Sequence, residues 1–274
     1  MQYFKLDVKQ NNSMEYAACY VQLIDNSREI TIKTRPMVIV CPGGGYSFTS
    51  DREADIVALQ FLSMGYHTAV LRYSVAPAVY PTALLELGSA VQQFRDHAAE
   101  WNIDPEQIVI TGFSAGGHLT ASYCMFWNQK WVAESLHTDS ESLRPNGMIL
   151  GYPVITSGEY AHHGSFHSLL GDEYEAKKES LSLENCVGKQ VPRTFLWHTY
   201  EDKSVPVLNS LFLVNALVSN GIPVEFHLFE KGGHGLALAN RLTNTKGHSP
   251  ECAASAWIPL VHQWMENWLA GQEP

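Results

Sequence analysis

Residues 108–119 (Ile-Val-Ile-Thr-Gly-Phe-Ser-Ala-Gly-Gly-His-Leu) constrain this chain more than any other stretch. Residues 108–111 are a β-branched run, the composition of a fully buried strand. Gly112-Phe113-Ser114-Ala115-Gly116 then spells G-x-S-x-G, and residues 119–126 read as a helix. Strand, tight turn and helix in that order are the setting of a nucleophile elbow, which lifts a serine hydroxyl above the end of a strand. A Cβ at Gly112 or Gly116 would crowd the adjoining strand and helix. The turn also aims the first N–H groups of the helix, which have no partner inside it, at whatever sits on Ser114. The bland alternative is a Gly-Ser turn without chemistry, and the remainder of the chain decides between the two.

Around the elbow, strands alternate with helices. Residues 36–41, 66–73, 147–154, 194–198 and 224–229 read as buried strands. Residues 52–64 and 206–218 read as helices, and another opens near Pro81 and runs through Leu84, Leu87, Val91 and Phe94. Asn102-Ile103-Asp104-Pro105 breaks the pattern before the elbow strand. Trp257, Leu260, Val261, Trp264 and Trp268 share one face of a C-terminal helix, a stripe read as core. Residues 16–24 and 29–33 read as an antiparallel opening pair joined at Asp25-Asn26-Ser27. The alternation predicts an α/β fold, a mostly parallel central sheet with helices on both faces. With no repeat or linker in 274 residues, a single domain over 1–274 is expected, with 155–190 as a small cap or insertion. Ligands of such sheets bind beyond the carboxyl ends of the strands, so every site residue should directly follow a strand.

Three features after other strands meet that condition. Pro42-Gly43-Gly44-Gly45 follows one, Asp202 follows another, and His234 sits in Gly232-Gly233-His234-Gly235 after the last. A serine hydroxyl is a poor nucleophile until a base takes its proton, and a neutral imidazole does this near neutral pH. His234 is the candidate base. Asp202 would hold its tautomer and stabilise the imidazolium. The N–H groups of Ala115, Gly43, Gly44 and Gly45 are candidate oxyanion donors, small enough to leave room for an acyl group. Glu201 is the near rival of Asp202, with Asp172 and Glu173 more distant. His162, His163 and His167 have no carboxylate or cysteine spaced for a metal, so they are read as loop or pocket-wall residues. His118, on the elbow helix, is read as a packing or supporting group.

A formal net charge of −10 without any basic cluster argues against nucleic acid and anionic membrane surfaces as partners. No apolar run is long enough to span a bilayer, and residues 1–9 lack the layout of a signal peptide. The five cysteines are scattered and free of C-x-x-C spacing, which suits neither a disulfide framework nor a zinc site. Cys41 and Cys124 lie in apolar runs and are read as buried thiols. A cytoplasmic location is the expectation. Nothing implies a cofactor: the glycine loop lacks the G-x-x-x-x-G-K-S/T pattern of a phosphate cradle. The expected partner is a small-molecule ester, and a homo-oligomer remains open.

Taken together, the chain resembles the bacterial α/β-hydrolase esterases near the hormone-sensitive-lipase-like and acetyl-xylan or feruloyl esterase groups. The resemblance runs from Pro36 onward. It rests on Pro42-Gly43-Gly44-Gly45-Tyr46, Leu71-Arg72-Tyr73-Ser74 with Tyr80-Pro81, residues 112–119, Asp202 with Val205-Pro206, and Gly233-His234-Gly235. The chain order Ser114, Asp202, His234 is the one those enzymes use. The lipase-like relatives begin the glycine loop with His, where this chain has Pro42. The resemblance implies a serine carboxylesterase for short acyl groups, with acetylated sugars or xylan fragments as candidate substrates. Only 155–190 and 236–252 are available to cover the site, which predicts a small acyl pocket. The competing functions are a serine peptidase on the same fold, which would need an added domain or an acidic pair, and an inactive binding scaffold, which would lack a triad member.

Overall fold

The computed structural model describes residues 1–244 and 253–270. In chain order it contains β1 (Gln2–Leu6), β2 (Ala18–Leu23), β3 (Arg35–Cys41), α1 (Asp55–Ser63), β4 (His67–Arg72), α2 (Thr82–Asp96), α3 (Ala98–Trp101) and β5 (Ile103–Phe113). There follow α4 (Ser114–Phe126), α5 (Lys130–Ser135), β6 (Gly147–Gly151), α6 (His163–Leu170), α7 (Tyr174–Lys177), β7 (Arg193–Thr199), α8 (Leu208–Ser219), β8 (Val224–Phe229) and α9 (Trp257–Ala270). The strands form one sheet in the order β1-β2-β4-β3-β5-β6-β7-β8. β1 pairs with β2 and β2 with β4 antiparallel, and every later pairing is parallel. This is the mostly parallel α/β sheet that the alternation predicts.

Side-chain alternation along the central strands explains the layering. Met37, Ile39, Ile108 and Ile110 face one core, where Leu87, Val91 and Phe94 of α2, Leu119 of α4, and Leu213 and Leu217 of α8 cover them. Val38, Val40 and Val109 face the other, against Val57, Ala58 and Phe61 of α1 and Trp257, Val261, Trp264 and Trp268 of α9. The tryptophan stripe is core, as its spacing predicts. Strands covered on both faces need no polar face, which is why they read as continuous apolar runs.

The opening of the chain differs from its expectation. Residues 29–33 form no strand and lie exposed. Ile30 and Ile32 have strand-like alternation but no surface to bury against: they are 44% and 59% exposed. Instead the Lys33 ammonium donates to the Ser27 and Ile30 carbonyls and closes a loop. β2 pairs antiparallel with β1, Gln2–Leu6, on one side and with β4 on the other. The elbow strand also starts earlier than predicted, at Ile103, after Asn102 in the left-handed region at φ 56°; the expected irregularity persists inside the strand as a register shift against β3, where Arg35 pairs with Ile103 and Met37 with Ile108. Among the described residues no helix is long and apolar enough to cross a membrane. Residues 245–252, part of the proposed cover 236–252 and including Cys252, lie outside the described residues. Cys41 and Cys124 are buried free thiols, as is Cys19.

Candidate active site

β3 and β5 are neighbours in register, with Val40 opposite Thr111 and Cys41 opposite Gly112, so the loops that leave them emerge side by side. Ser114 opens α4 directly from β5 with φ 53°, a left-handed conformation that a non-glycine residue rarely adopts. The two motif glycines make that turn possible. A Cβ on Gly112 would stand 2.3 Å from both the Gly116 carbonyl and Thr120 Oγ1. A Cβ on Gly116 would stand 2.2 Å from the Cys41 carbonyl and 2.3 Å from that of Pro42. The Ser114 carbonyl accepts the Val154 N–H at 3.0 Å, which ties the elbow to the exit of β6.

Ser114 Oγ lies 2.8 Å from His234 Nε2. On the far side of the ring, His234 Nδ1 lies 2.7 Å from Asp202 Oδ2. Asp202 follows β7 and His234 follows β8, so each sits past a strand end, as the sheet architecture requires. The Asp202 side chain is fully buried. Its Oδ1 accepts the Ser204 and Val205 N–H groups, each at 2.9 Å. Burial alone would raise this carboxyl. Hydrogen bonds from His198 and His234, the charge interaction with His234 and the Val205 N–H outweigh burial and hold it well below the usual carboxylate range. Such a carboxylate stays ionised and accepts the Nδ1 proton, which leaves Nε2 free to take a proton from the serine. Glu201, the rival, is turned away: it pairs with Lys231 at 2.9 Å and accepts the Gly232 N–H at 3.2 Å.

The glycine loop faces the elbow. Gly44 and Gly45 take φ 126° and 64°, and a Cβ on Gly44 would stand 2.1 Å from the Phe48 carbonyl. Of the candidate donors, the Gly43 N–H is engaged elsewhere: it donates to Glu53 Oε2 at 2.8 Å. That leaves Gly44, Gly45 and Ala115 as the donors free to meet an oxyanion. Gly43 is small for another reason, since its Cβ would stand 2.9 Å from Ser114 Cβ and 2.8 Å from the Phe113 carbonyl. The Tyr73 hydroxyl donates to the Pro42 carbonyl at 2.6 Å. Arg72 reaches Thr49, Asp51 and Asp55, so the Arg72-Tyr73 pair steadies this loop from β4.

A cleft of about 420 Å³ opens over Ser114, lined among others by Gly44, Gly45, Phe48, His162 and His234. Residues 155–190 contribute His162, Gly164 and Ser168 to its lining. His162 accepts the Ser165 N–H at the start of α6; burial and the neighbouring His234 lower its basicity. His163 meets the Tyr174 hydroxyl at 2.9 Å, and His167 stacks on the Tyr174 ring. His162 is thus engaged with Ser165, while His163 and His167 share Tyr174. His118 is buried between the Tyr46 hydroxyl, 3.0 Å from Nδ1, and the Leu181 carbonyl, 3.1 Å from Nε2.

Sequence reasoning passed over Tyr152, Glu53 and His198. The Tyr152 ring lies edge-on to His234, with centroids 5.1 Å apart, and His198 Nε2 approaches Asp202 Oδ2 at 3.3 Å. Tyr152 directly follows β6, so the strand-end rule would have found it. Glu53 and His198 carried no comparable signal.

The BD-FAE family profile matches residues 27–217. Endo-1,4-beta-xylanase B of Butyrivibrio fibrisolvens is 34% identical over 245 residues, 86% of this chain and 38% of that protein. The acetylxylan esterase of Xylanibacter ruminicola is 30% identical over 207 residues, 72% of this chain and 40% of that protein. The chain thus spans about two fifths of the length of these curated relatives. Among solved structures, an acetyl ester-xyloside bifunctional hydrolase from Caldicellulosiruptor lactoaceticus superposes with a TM-score of 0.81 at 34% identity, covering 96% of each chain. With its elbow, sheet order and matched length, the chain belongs to the BD-FAE family and has the α/β-hydrolase fold.

Proposed function

We propose that this protein is a serine carboxylesterase that hydrolyses short, acetyl-type esters through an acyl-enzyme. The observation that carries the reading is the continuous relay from Ser114 Oγ to His234 Nε2 at 2.8 Å and from His234 Nδ1 to Asp202 at 2.7 Å. His234 takes the Ser114 proton as the hydroxyl attacks the ester carbonyl, then returns it to the departing alcohol. Asp202 stays ionised and stabilises the imidazolium. The N–H groups of Ala115, Gly44 and Gly45 receive the oxyanion, each worth roughly 10²–10³ in rate. Water activated by the same imidazole releases the acid.

One feature of the cleft bears on the alcohol portion of the substrate. The serine hydroxyls of Ser47, Ser50, Ser168 and Ser204 line the cleft and suit a polar, hydroxyl-bearing alcohol portion. Acetylated sugars, including xylan fragments, are the natural class to try, since the relatives include an acetylxylan esterase. The test is hydrolysis of p-nitrophenyl esters from acetate to octanoate, and of an acetylated xylo-oligosaccharide, by wild type and Ser114→Ala. Turnover should fall with chain length, and the variant should lose on the order of 10⁶ in kcat. Rates that rise towards octanoate would refute the short-acyl assignment, and substantial turnover by Ser114→Ala would refute the nucleophile.

A further inference from the structure

Asp51, Arg52 and Glu53 form one 3-10 turn ahead of α1, and the mechanism above uses none of them. Glu53 is 2% exposed. Its Oε2 accepts the Gly43 N–H at 2.8 Å and its Oε1 accepts the Tyr152 hydroxyl at 2.6 Å. That hydroxyl accepts the Ala237 N–H at 2.8 Å. Next door, Arg52 Nη1 donates to the Gly235 carbonyl at 2.6 Å. Gly43 opens the oxyanion loop, while Gly235 and Ala237 follow His234. Two adjacent residues therefore tie the loop that receives the oxyanion to the loop that carries the base, with Ser114 between them.

Packing alone is a poor reason for this arrangement. No cation stands within 4.0 Å of the Glu53 carboxylate among the described residues, and a buried carboxylate is expensive without strong donors. Its donors are one backbone N–H and one phenol. An apolar side chain could fill the space, but it could not accept from both loops at once.

We propose that Glu53 is a positioning residue: through the Gly43 N–H and the Tyr152 hydroxyl it sets the distance between the oxyanion donors and His234, with Arg52 as a second tie. This rests on the serine esterase reading of the same site. The tie matters most when the oxyanion and imidazolium form together, because both loops must then hold their places about one tetrahedral carbon. A glutamine at this position keeps one acceptor for Gly43 and meets the Tyr152 oxygen with an N–H. It preserves both links while leaving the phenol proton without an acceptor.

The test compares wild type, Glu53→Ala, Glu53→Gln and Tyr152→Phe on p-nitrophenyl acetate, with kcat and KM resolved and thermal unfolding followed in parallel. Glu53→Ala should lower kcat about 10²-fold, the scale of an ångström-sized misplacement of reacting groups. KM should stay within about threefold, because the lost interaction acts in the transition state. Tyr152→Phe should lower kcat about tenfold, and Glu53→Gln should stay within about tenfold of wild type, since each keeps part of the linkage. If Glu53→Ala does not fold, Tyr152→Phe decides. Wild-type kcat in folded Glu53→Ala or in Tyr152→Phe, whatever their melting temperatures, overturns the proposal, as does a rise in KM at constant kcat. A wild type inert towards every ester sinks the esterase reading and this inference with it. Activity that Ser114→Ala abolishes and that Glu53→Ala and Tyr152→Phe leave intact sinks this inference alone.

Discussion

Lowering the pH from 7 towards 4 perturbs one buried group beside the site, and the cost can be worked out from its surroundings. His118 lies one turn beyond Ser114 on α4 and is 1% exposed. A neutral ring with its proton on Nε2 satisfies both partners, donating to the Leu181 carbonyl and accepting from the Tyr46 hydroxyl. Burial pushes this imidazole down from 6.5 to about 4, with the Leu181 carbonyl opposing in part. Between those values the unfolded chain binds a proton that the folded protein refuses, so stability falls as pH falls. With these two values the loss is about 1 kcal/mol at pH 5.5 and about 3 kcal/mol at pH 4, after which it levels off. Urea unfolding of wild type and His118→Gln across pH 7 to 4 isolates the effect, because groups common to both cancel, including His67, which burial lowers likewise. The variant should be the less stable at pH 7, and the gap should close by about 3 kcal/mol towards pH 4. A gap that does not change with pH would refute the claim that His118 is held neutral by burial.

Two further substitutions probe the site. Asp202→Asn should lower kcat about 10⁴-fold by allowing the wrong His234 tautomer, whereas Glu201→Gln should leave it within about twofold; the reverse ranking in ester assays would show that the acid is misassigned. Gly116→Ala should destabilise the fold by about 3 kcal/mol, because its Cβ meets the Cys41 and Pro42 carbonyls at 2.2 and 2.3 Å, and backbone on that side yields poorly. A wild-type urea midpoint for that variant would mean that the elbow is looser than its contacts imply.

The parallel core was legible in the sequence because its strands are buried on both faces and its helices carry one apolar stripe each. The site was legible for a related reason: a strand end is a local feature, and Ser114, Asp202 and His234 each follow one. Edge structure was less so. β1 is a half-exposed strand with little apolar pattern, while Ile30 and Ile32 have the right period but nothing to pack against. The Glu53 linkage could not be read at all. It joins residues 10 and 99 positions apart, and no local pattern marks a carboxylate that will accept from two distant loops. The same contact took the Gly43 N–H out of the expected donor set.

The in-register pairing of β3 with β5 has a consequence for how such a site can change. Because Cys41 stands opposite Gly112, the glycine loop and the elbow are separated by one hydrogen-bonded strand spacing, about 4.8 Å. The backbone ladder sets that interval, and side-chain substitutions along either strand leave it alone. It can alter only in discrete jumps, since a one-residue slip would turn every buried side chain of the strand to the wrong face. The proposed acyl-transfer geometry is in this sense digital, while the cleft lining contributed by His162, Gly164 and Ser168 is free to be tuned by degrees.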